Sequence, residues 1–314
     1  MCGVTVSAPV DPFVHPVLFY RGDGEYLDGL LPFIQEGLDQ GAPVAVAVPG
    51  GRLALLSGAL GAAAREVRMI DMAEAGRNPG RIIPGVLRDF ADRYPDRAVR
   101  IVGEPVWPSR TETEYPACAQ HEALINLSFT GRDVTIVCPY DAARLDDGIL
   151  KDAWATHPTV WESGEARTSE YFAPERVIAD HNHRIRAPTG SPGYTVDTYA
   201  DLAAARRFVA GHAGERGLSA DRVSELRLMI NELATNSLAH TSGGCTVRIW
   251  RAGADLVCEV RDGGHLTDPL AGRRPSPPDW IGGRGLLLVN QLADLVRTHT
   301  SPTGTTIHVH CRLS

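Results

Sequence analysis

Glu232 and Asn236 stand four residues apart in the stretch Asn231-Glu232-Leu233-Ala234-Thr235-Asn236. On a helix that spacing puts both side chains on one face, so a carboxylate and an amide oxygen can meet one metal ion and one reacting oxygen together. Downstream come Asp262-Gly263-Gly264 and then Gly283-Arg284-Gly285-Leu286. Each piece is common alone, but in this order they read as a split site for Mg-ATP. Asn236 offers an amide oxygen to Mg2+, a hard cation that takes oxygen ligands and keeps positions for phosphate and water. Glu232 is then placed as general base for a hydroxyl that attacks the γ-phosphate. Asp262 ends a strand pattern, so its carboxylate can accept the adenine amino group while Gly264 lets the backbone approach the ring. Gly283 and Gly285 flank the start of a helix, whose free N–H groups bind phosphate without a lysine. Arg284, with Arg273 and Arg274, is expected to add phosphate contacts. Thr305 and Thr306 follow Gly304 and place a hydroxyl near Asp262, although β-branched residues equally suit a plain strand. His265 to Gly282 contains Pro275, Pro277 and Pro278 and reads as a mobile lid that closes over the nucleotide.

These residues need elements to hold them. Val223, Leu226, Ile230, Leu233 and Ser237 repeat at steps of three and four, which predicts a helix buried along that stripe with Glu232 and Asn236 at its polar margin. Ser219 is its expected N-cap, with Leu218 and Val223 as a hydrophobic staple. A helix from about Tyr199 to Ala213 precedes it. Strands are predicted at Thr246 to Trp250 and Leu256 to Arg261, a helix at Gly285 to Leu295, and a last strand at Thr305 to Leu313.

The first half alternates apolar runs with helical patterns. Strands are predicted at Val17 to Tyr20, Val44 to Val48, Val67 to Ile70, Val99 to Val102 and Val134 to Cys138. Helices are predicted near Glu25 to Gln40, Arg52 to Leu60, Pro79 to Tyr94, Glu112 to Leu127 and Asp146 to Thr156, with Asn78 as an N-cap before Pro79. Runs such as Val44-Ala45-Val46-Ala47-Val48 suit strands covered on both faces, hence a parallel sheet flanked by helices. Tyr20, Asp23, Asp71, Glu104, Trp107, Tyr140 and Asp141 fall just after strands, where ligands of open α/β folds bind. A small-molecule pocket, a protein-docking surface and a purely structural domain all remain open there. From Trp161 to Tyr194 the periodicity fades, and Arg186 to Gly193 has linker composition. Domains are therefore drawn at 13–178 and 195–314 with a linker at 179–194, His181 and His183 being solvated linker residues.

Composition excludes other chemistries. Lys151 is the only lysine among thirty-one basic residues, and it stands in no P-loop, strand-lysine kinase or Schiff-base context. A net charge of −7 gives no field for wrapping a nucleic-acid backbone, so the expected partners are proteins and small molecules. The six cysteines lack a C-x-x-C pair and read as reduced, buried thiols. Without a signal-peptide pattern or a long apolar run, a soluble cytoplasmic protein with no membrane span is expected. His308, His310 and Cys311 lack a fourth ligand and carry no metal assignment.

From about Thr195 to the end, the three motifs in this order resemble the GHKL ATPase superfamily, and within it the anti-sigma-factor serine kinase type. That resemblance implies a Bergerat-type α/β sandwich, a layer of helices on a mixed sheet, with ATP and Mg2+ as cofactors. It implies a kinase acting on a serine of an anti-anti-sigma (STAS) protein while binding a sigma factor in competition. By the match Glu232 is the catalytic base, Asn236 the Mg2+ ligand, Asp262 and Gly264 adenine contacts, and Gly283 and Gly285 phosphate-loop glycines. One departure is Leu266, which stands where the family has a second glycine, at the hinge of the lid. Residues from about His15 to Glu175 resemble the MEDS sensory domain, a RecA-like parallel-sheet module without a phosphate loop. The matching pieces are Phe19 to Asp23, Gly103 to Trp107, His121 to Asn126 and Cys138 to Asp141. The expected whole is an anti-sigma kinase controlled by a sensory domain, monomeric or homodimeric. Its alternatives are a nucleotide-responsive binding switch without phosphoryl transfer and a histidine kinase using His121.

Overall fold

A computed structural model of the chain describes residues 11–162, 165–275 and 283–313. Residues 276–282, part of the expected lid and including Pro277 and Pro278, lie outside the described residues, as does Cys2.

The first half runs β1 (Pro16–Tyr20), α1 (Gly22–Asp39), β2 (Val44–Val48), α2 (Gly50–Leu60), β3 (Arg68–Asp71), α3 (Met72–Ala75), α4 (Arg88–Ala91), β4 (Val99–Gly103), α5 (Tyr115–Ser128), β5 (Val134–Asp141), α6 (Asp147–Thr156), β6 (Thr159–Glu162), β7 (Glu165–Thr168) and α7 (Pro174–Asp180). Its seven strands lie in the order β3-β2-β4-β5-β1-β6-β7. All pair in parallel except β7, which turns back antiparallel on β6. Alternation explains the two cores. Ala45, Ala47, Val17, Ile101, Ile136 and Cys138 join one apolar cluster, while Val44, Val46, Val48, Leu18, Val102 and Val137 join another on the opposite face.

Two expectations fail here. The helix predicted over Pro79 to Tyr94 is a 3-10 turn at Pro79–Arg81, a π-helical turn at Ile83–Leu87 and then α4. Pro84 sits inside that stretch, cannot donate to the helical ladder and clashes with the preceding turn, so the chain widens around it. The stretch after Trp161, where the periodicity fades, also forms elements that were not predicted. It holds β7, whose residues Glu165 to Thr168 are all exposed and so carry no apolar pattern, and α7. His181 is also not simply solvated: its Nε2 lies 2.6 Å from Asp152 Oδ2, the carboxylate that Tyr115 reaches at 2.8 Å.

The second half runs β8 (Gly193–Val196), α8 (Leu202–Glu215), α9 (Ala220–His240), β9 (Cys245–Ala252), β10 (Asp255–Asp262), α10 (Gly285–Leu292), β11 (Leu295–Ser301) and β12 (Gly304–Arg312). The five strands lie in the order β11-β12-β10-β9-β8. Every pair is antiparallel, so the mixed sheet expected from the resemblance is not what forms. The predicted stripe of α9 is buried at Leu226, Ile230, Leu233 and Ser237, and Ser219 caps it by accepting from Arg222 N. Leu226, Ile230 and Leu233 pack with Val247, Ile249, Val260 and Val309 in one apolar cluster, which fixes the roll of α9 on the sheet. The roll of α9 is what aims Glu232 and Asn236.

The two halves touch through built contacts. Asn78 is fully buried and donates to Asn290 O at 2.8 Å, while its Oδ1 accepts from Val296 N at 3.2 Å and Gly80 N at 3.1 Å. Arg77 bonds Asp294 at 2.6 Å and Arg297 donates to Thr113 O at 2.7 Å. Asn182 exchanges two hydrogen bonds with the Thr300 backbone, at 2.8 and 3.0 Å.

Candidate functional site

A cleft of about 560 Å³ opens between α9, the ends of β10 and β12, and the segment after Gly264. Asn236 and Ser237 form one wall, Asp262 and Thr305 the floor, and Leu266, Gly283 and Leu286 the other side. The register explains the floor, because Asp262 at the end of β10 pairs with Thr305 at the start of β12. Asp262 is held on both oxygens: Ser237 Oγ donates to Oδ2 at 2.6 Å and Gly264 N to Oδ1 at 2.8 Å. A carboxylate fixed this way keeps lone pairs for a further donor on its cleft side.

Two glycines close the site. A β-carbon on Gly264 would come within 2.6 Å of Thr241 Cγ2, so only glycine fits against α9 there. At Gly285, the first residue of α10, a β-carbon would lie 2.9 Å from Glu232 Oε2 and 3.2 Å from Asn236 Nδ2. The start of α10 thus lies directly against the Glu232–Asn236 edge, and an eight-residue helix aims its free N–H groups there. Gly283 adopts φ +71°, the left-handed region that glycine tolerates. Arg284 is exposed as α10 opens. Donor set and cradle both fit a nucleotide with its metal: Asn236 would hold Mg2+ by its amide oxygen, and the ion would neutralise phosphate charge.

Thr305 plays a part that sequence reasoning did not assign. Its hydroxyl donates to Gly264 O at 2.8 Å, accepts from Leu266 N at 3.2 Å and lies 2.9 Å from Thr300 Oγ1. It braces the turn after Asp262 rather than pointing loose into the cleft. Leu266, where the family has glycine, is tethered by both threonines, Thr300 Oγ1 accepting its N–H at 2.9 Å. Its side chain gives the cleft an apolar wall.

The described start of the lid segment is anchored. Leu270 is 3% exposed and belongs to the same apolar cluster as Ile82, Ile83 and Cys118 of the first half. Arg273 does not face the phosphate region. It is 8% exposed, lies near Cys118 and His121 of α5, and burial lowers its guanidinium to about 10. Arg274 pairs with Asp268 at 2.5 Å on the cleft wall. Gly272 O accepts from Asn290 Nδ2 at 3.0 Å, which ties this segment to α10.

In the first half, the carboxyl ends of the strands form a second cavity of about 710 Å³. Tyr20, Asp23, Glu104, Trp107 and Asp141 all line it, as their positions after strands implied. Glu104 is 1% exposed, accepts from Tyr20 at 3.1 Å and Tyr26 at 3.2 Å, and burial pushes its carboxyl up to about 8. Arg52 covers both rings, 4.9 and 4.6 Å from their centroids, and bonds Asp23 at 2.6 Å. Tyr26 and Arg52 were missed because they come from helices, where no strand end marked them. Two expected residues go elsewhere: Asp71 caps α3 through Ala73 N at 2.9 Å, and Tyr140 is buried with its ring edge toward His157. His121 is 1% exposed and burial lowers its imidazole to about 3, so it offers no surface for phosphoacceptor chemistry.

Comparison with known proteins gives one match in each half. Residues 14–158 match the family described as MEDS, the methanogen/methylotroph DcmR sensory domain. Residues 195–310 match the histidine kinase-like ATPase domain. A search of curated proteins finds no match. Among solved structures, the RsbU and RsbW domains of Rv1364c from Mycobacterium tuberculosis align at 22% identity and a TM-score of 0.32, over 41% of this chain and 34% of that one. The chain thus spans about a third of that protein's length. Among the described residues no helix is long and apolar enough to cross a membrane. With cleft, strand-end cavity and both matches in register, the chain carries an N-terminal MEDS sensory domain and a C-terminal histidine kinase-like ATPase domain of GHKL type.

Proposed function

We propose that the chain is an ATP-dependent anti-sigma regulator that phosphorylates a serine of an anti-anti-sigma (STAS) protein, under control of its sensory domain. The observation that carries this reading is the packing of Gly285 against Glu232 and Asn236, with Asn236 and Asp262 both lining the adjoining cleft. That arrangement suits a nucleotide whose base meets Asp262 and whose phosphates meet the start of α10. Bound Mg2+ would supply charge neutralisation at the transferring phosphate. Glu232 accepts the proton of the attacking serine hydroxyl, Asn236 orients the metal, and the N–H groups of α10 take up phosphate charge. Domain boundaries near 178 and 195 fit this division of labour.

Control by the sensory domain is supported by where it grips. Asn78 holds α10 and β11, and Leu270 and Arg273 root the segment beside the cleft in the first half. A ligand that reshapes the Glu104 cavity would act through these contacts on the phosphate end of the site. A second reading, a nucleotide-responsive binding switch without transfer, draws on Leu266, whose tethers stiffen the family's usual hinge. The discriminating experiment incubates the protein with Mg-ATP and a cognate anti-anti-sigma partner. Acid-stable phosphoserine that vanishes in Glu232→Ala supports the kinase. Nucleotide binding with no transfer to any partner supports the switch, and transfer that survives Glu232→Ala rejects the assigned base.

A further inference from the structure

Four buried side chains from distant parts of the sequence converge outside both cavities. They are His15 just before β1, Glu122 of α5, Cys138 of β5 and His157 just after α6, each at 0% exposure. Their ligand atoms all lie within 4.8 Å of one another.

The hydrogen bonds around the cluster fix one proton on each imidazole. Asn126 turns its amide nitrogen toward the carbonyls of Glu122, Ala123 and Thr156, at 3.4, 3.2 and 2.8 Å. Its Oδ1 therefore faces His15 Nδ1 at 3.1 Å and can only accept. His15 Nδ1 therefore carries a proton, and in the neutral ring its Nε2 presents a lone pair. His157 repeats the arrangement, with Nδ1 2.8 Å from Ala153 O, again an acceptor only. The two Nε2 atoms then point at the same carboxylate oxygen, Glu122 Oε2, at 3.0 Å from His157 and 3.4 Å from His15. Cys138 Sγ lies 3.4 Å from His15 Nε2. The thiol can donate to one imidazole, yet His157 Nε2 and both oxygens of Glu122 remain without a hydrogen-bond partner among the described residues.

Lone pairs facing one another in an apolar interior are costly unless a cation lies between them. Bond lengths of about 2.0–2.3 Å around a tetrahedral zinc put neighbouring ligand atoms roughly 3.3–3.6 Å apart, close to the spacings above. Imidazoles whose Nδ1–H donates to an amide or backbone oxygen while Nε2 faces inward are arranged as metal-bound histidines are. We propose that His15, Glu122, Cys138 and His157 bind one divalent transition-metal ion, with zinc favoured by a closed set of two nitrogens, one oxygen and one sulfur. Binding releases the Cys138 proton and leaves the carboxylate and both imidazoles in their present forms. The ion ties α5 to β5 and to the chain segments that lead into β1 and β6. Because α5 also carries His121 and Cys118, beside which Arg273 lies, the ion fixes the surface on which the segment flanking the ATP cleft is rooted.

The full chain, refolded with zinc or cobalt and freed of loose metal, should retain one equivalent per chain. X-ray absorption at the zinc edge should show one sulfur and three nitrogen or oxygen neighbours. The cobalt form should show a thiolate charge-transfer band that Cys138→Ser abolishes and Cys118→Ser leaves. A chain that folds and binds Mg-ATP but takes up neither metal overturns the proposal and leaves an imidazolium–carboxylate pair in its place. So does a zinc shell without sulfur, or a cobalt band indifferent to Cys138→Ser. If that variant fails to fold, the absorption spectrum of the unmutated protein still decides.

Discussion

Asn78→Ala is expected to separate the sensory half from the ATPase half without unfolding either. The side chain is fully buried and bridges two elements of the second half, donating to Asn290 O and accepting from Val296 N, besides bonding Gly80 N in its own turn. Val296 belongs to β11, the edge strand of its sheet, so its ladder partner on β12 does not occupy that outward face. Truncation leaves Val296 N–H and Asn290 O buried without partners, at about 1–3 kcal/mol each, so roughly 2–6 kcal/mol of docking energy is lost. Each half keeps its own apolar clusters, which is why both should stay folded. Hydrogen exchange read by mass spectrometry should show β11 and the end of α10 losing protection, while β4 and β9 keep theirs. Chemical denaturation should split into two transitions. Unchanged protection in β11 together with a single transition shifted by less than about 0.5 kcal/mol would refute the claim that Asn78 couples the two halves.

Other consequences can be checked more briefly. Gly264→Ala should weaken Mg-ATP binding at least about tenfold, or about 1.4 kcal/mol, because its methyl group would meet Thr241 Cγ2 at 2.6 Å; calorimetry reads this. Leu270→Ala should cost about 2–5 kcal/mol in denaturant titrations, since this residue is buried in the first-half core. Glu104 predicts a pH dependence: burial raises its carboxyl from 4.5 to about 8. The folded chain holds a proton over that range which the unfolded chain releases. Its stabilisation is therefore complete below the unfolded value and is lost as pH rises through the folded one. Glu104→Gln should flatten the fall in stability between those two values.

Periodicity carried most of the fold. The alternation of Val44 to Val48 and the three-four stripe of α9 are both buried as their patterns require. What escaped has physical causes. Exposed β7 has no apolar code, Pro84 converts a predicted helix into a π-turn, and β11 follows α10 with only Ala293 and Asp294 between and no glycine or proline to mark the change. The residue types and order pointed to Glu232, Asn236, Asp262 and the glycines; Asn236, Asp262, Gly264 and Gly283 line the cleft, and Gly285 packs against Glu232 beside it. The bracing role of Thr305 and the inward turn of Arg273 depend on tertiary contacts that no local spacing encodes. The His15, Glu122, Cys138 and His157 cluster was invisible for the same reason, its members being scattered over more than a hundred positions that only the parallel sheet gathers.

The central claim is that α9, the turn after Asp262 and the start of α10 enclose one Mg-ATP. Calorimetric titration of Mg-ATP into the wild type, Glu232→Ala and Asn236→Ala tests it most directly. Binding by the wild type and by Glu232→Ala at similar affinity, with Asn236→Ala losing the magnesium dependence, is the expected result. A wild type that binds no nucleotide, or an Asn236→Ala protein that binds Mg-ATP as the wild type does, would contradict it.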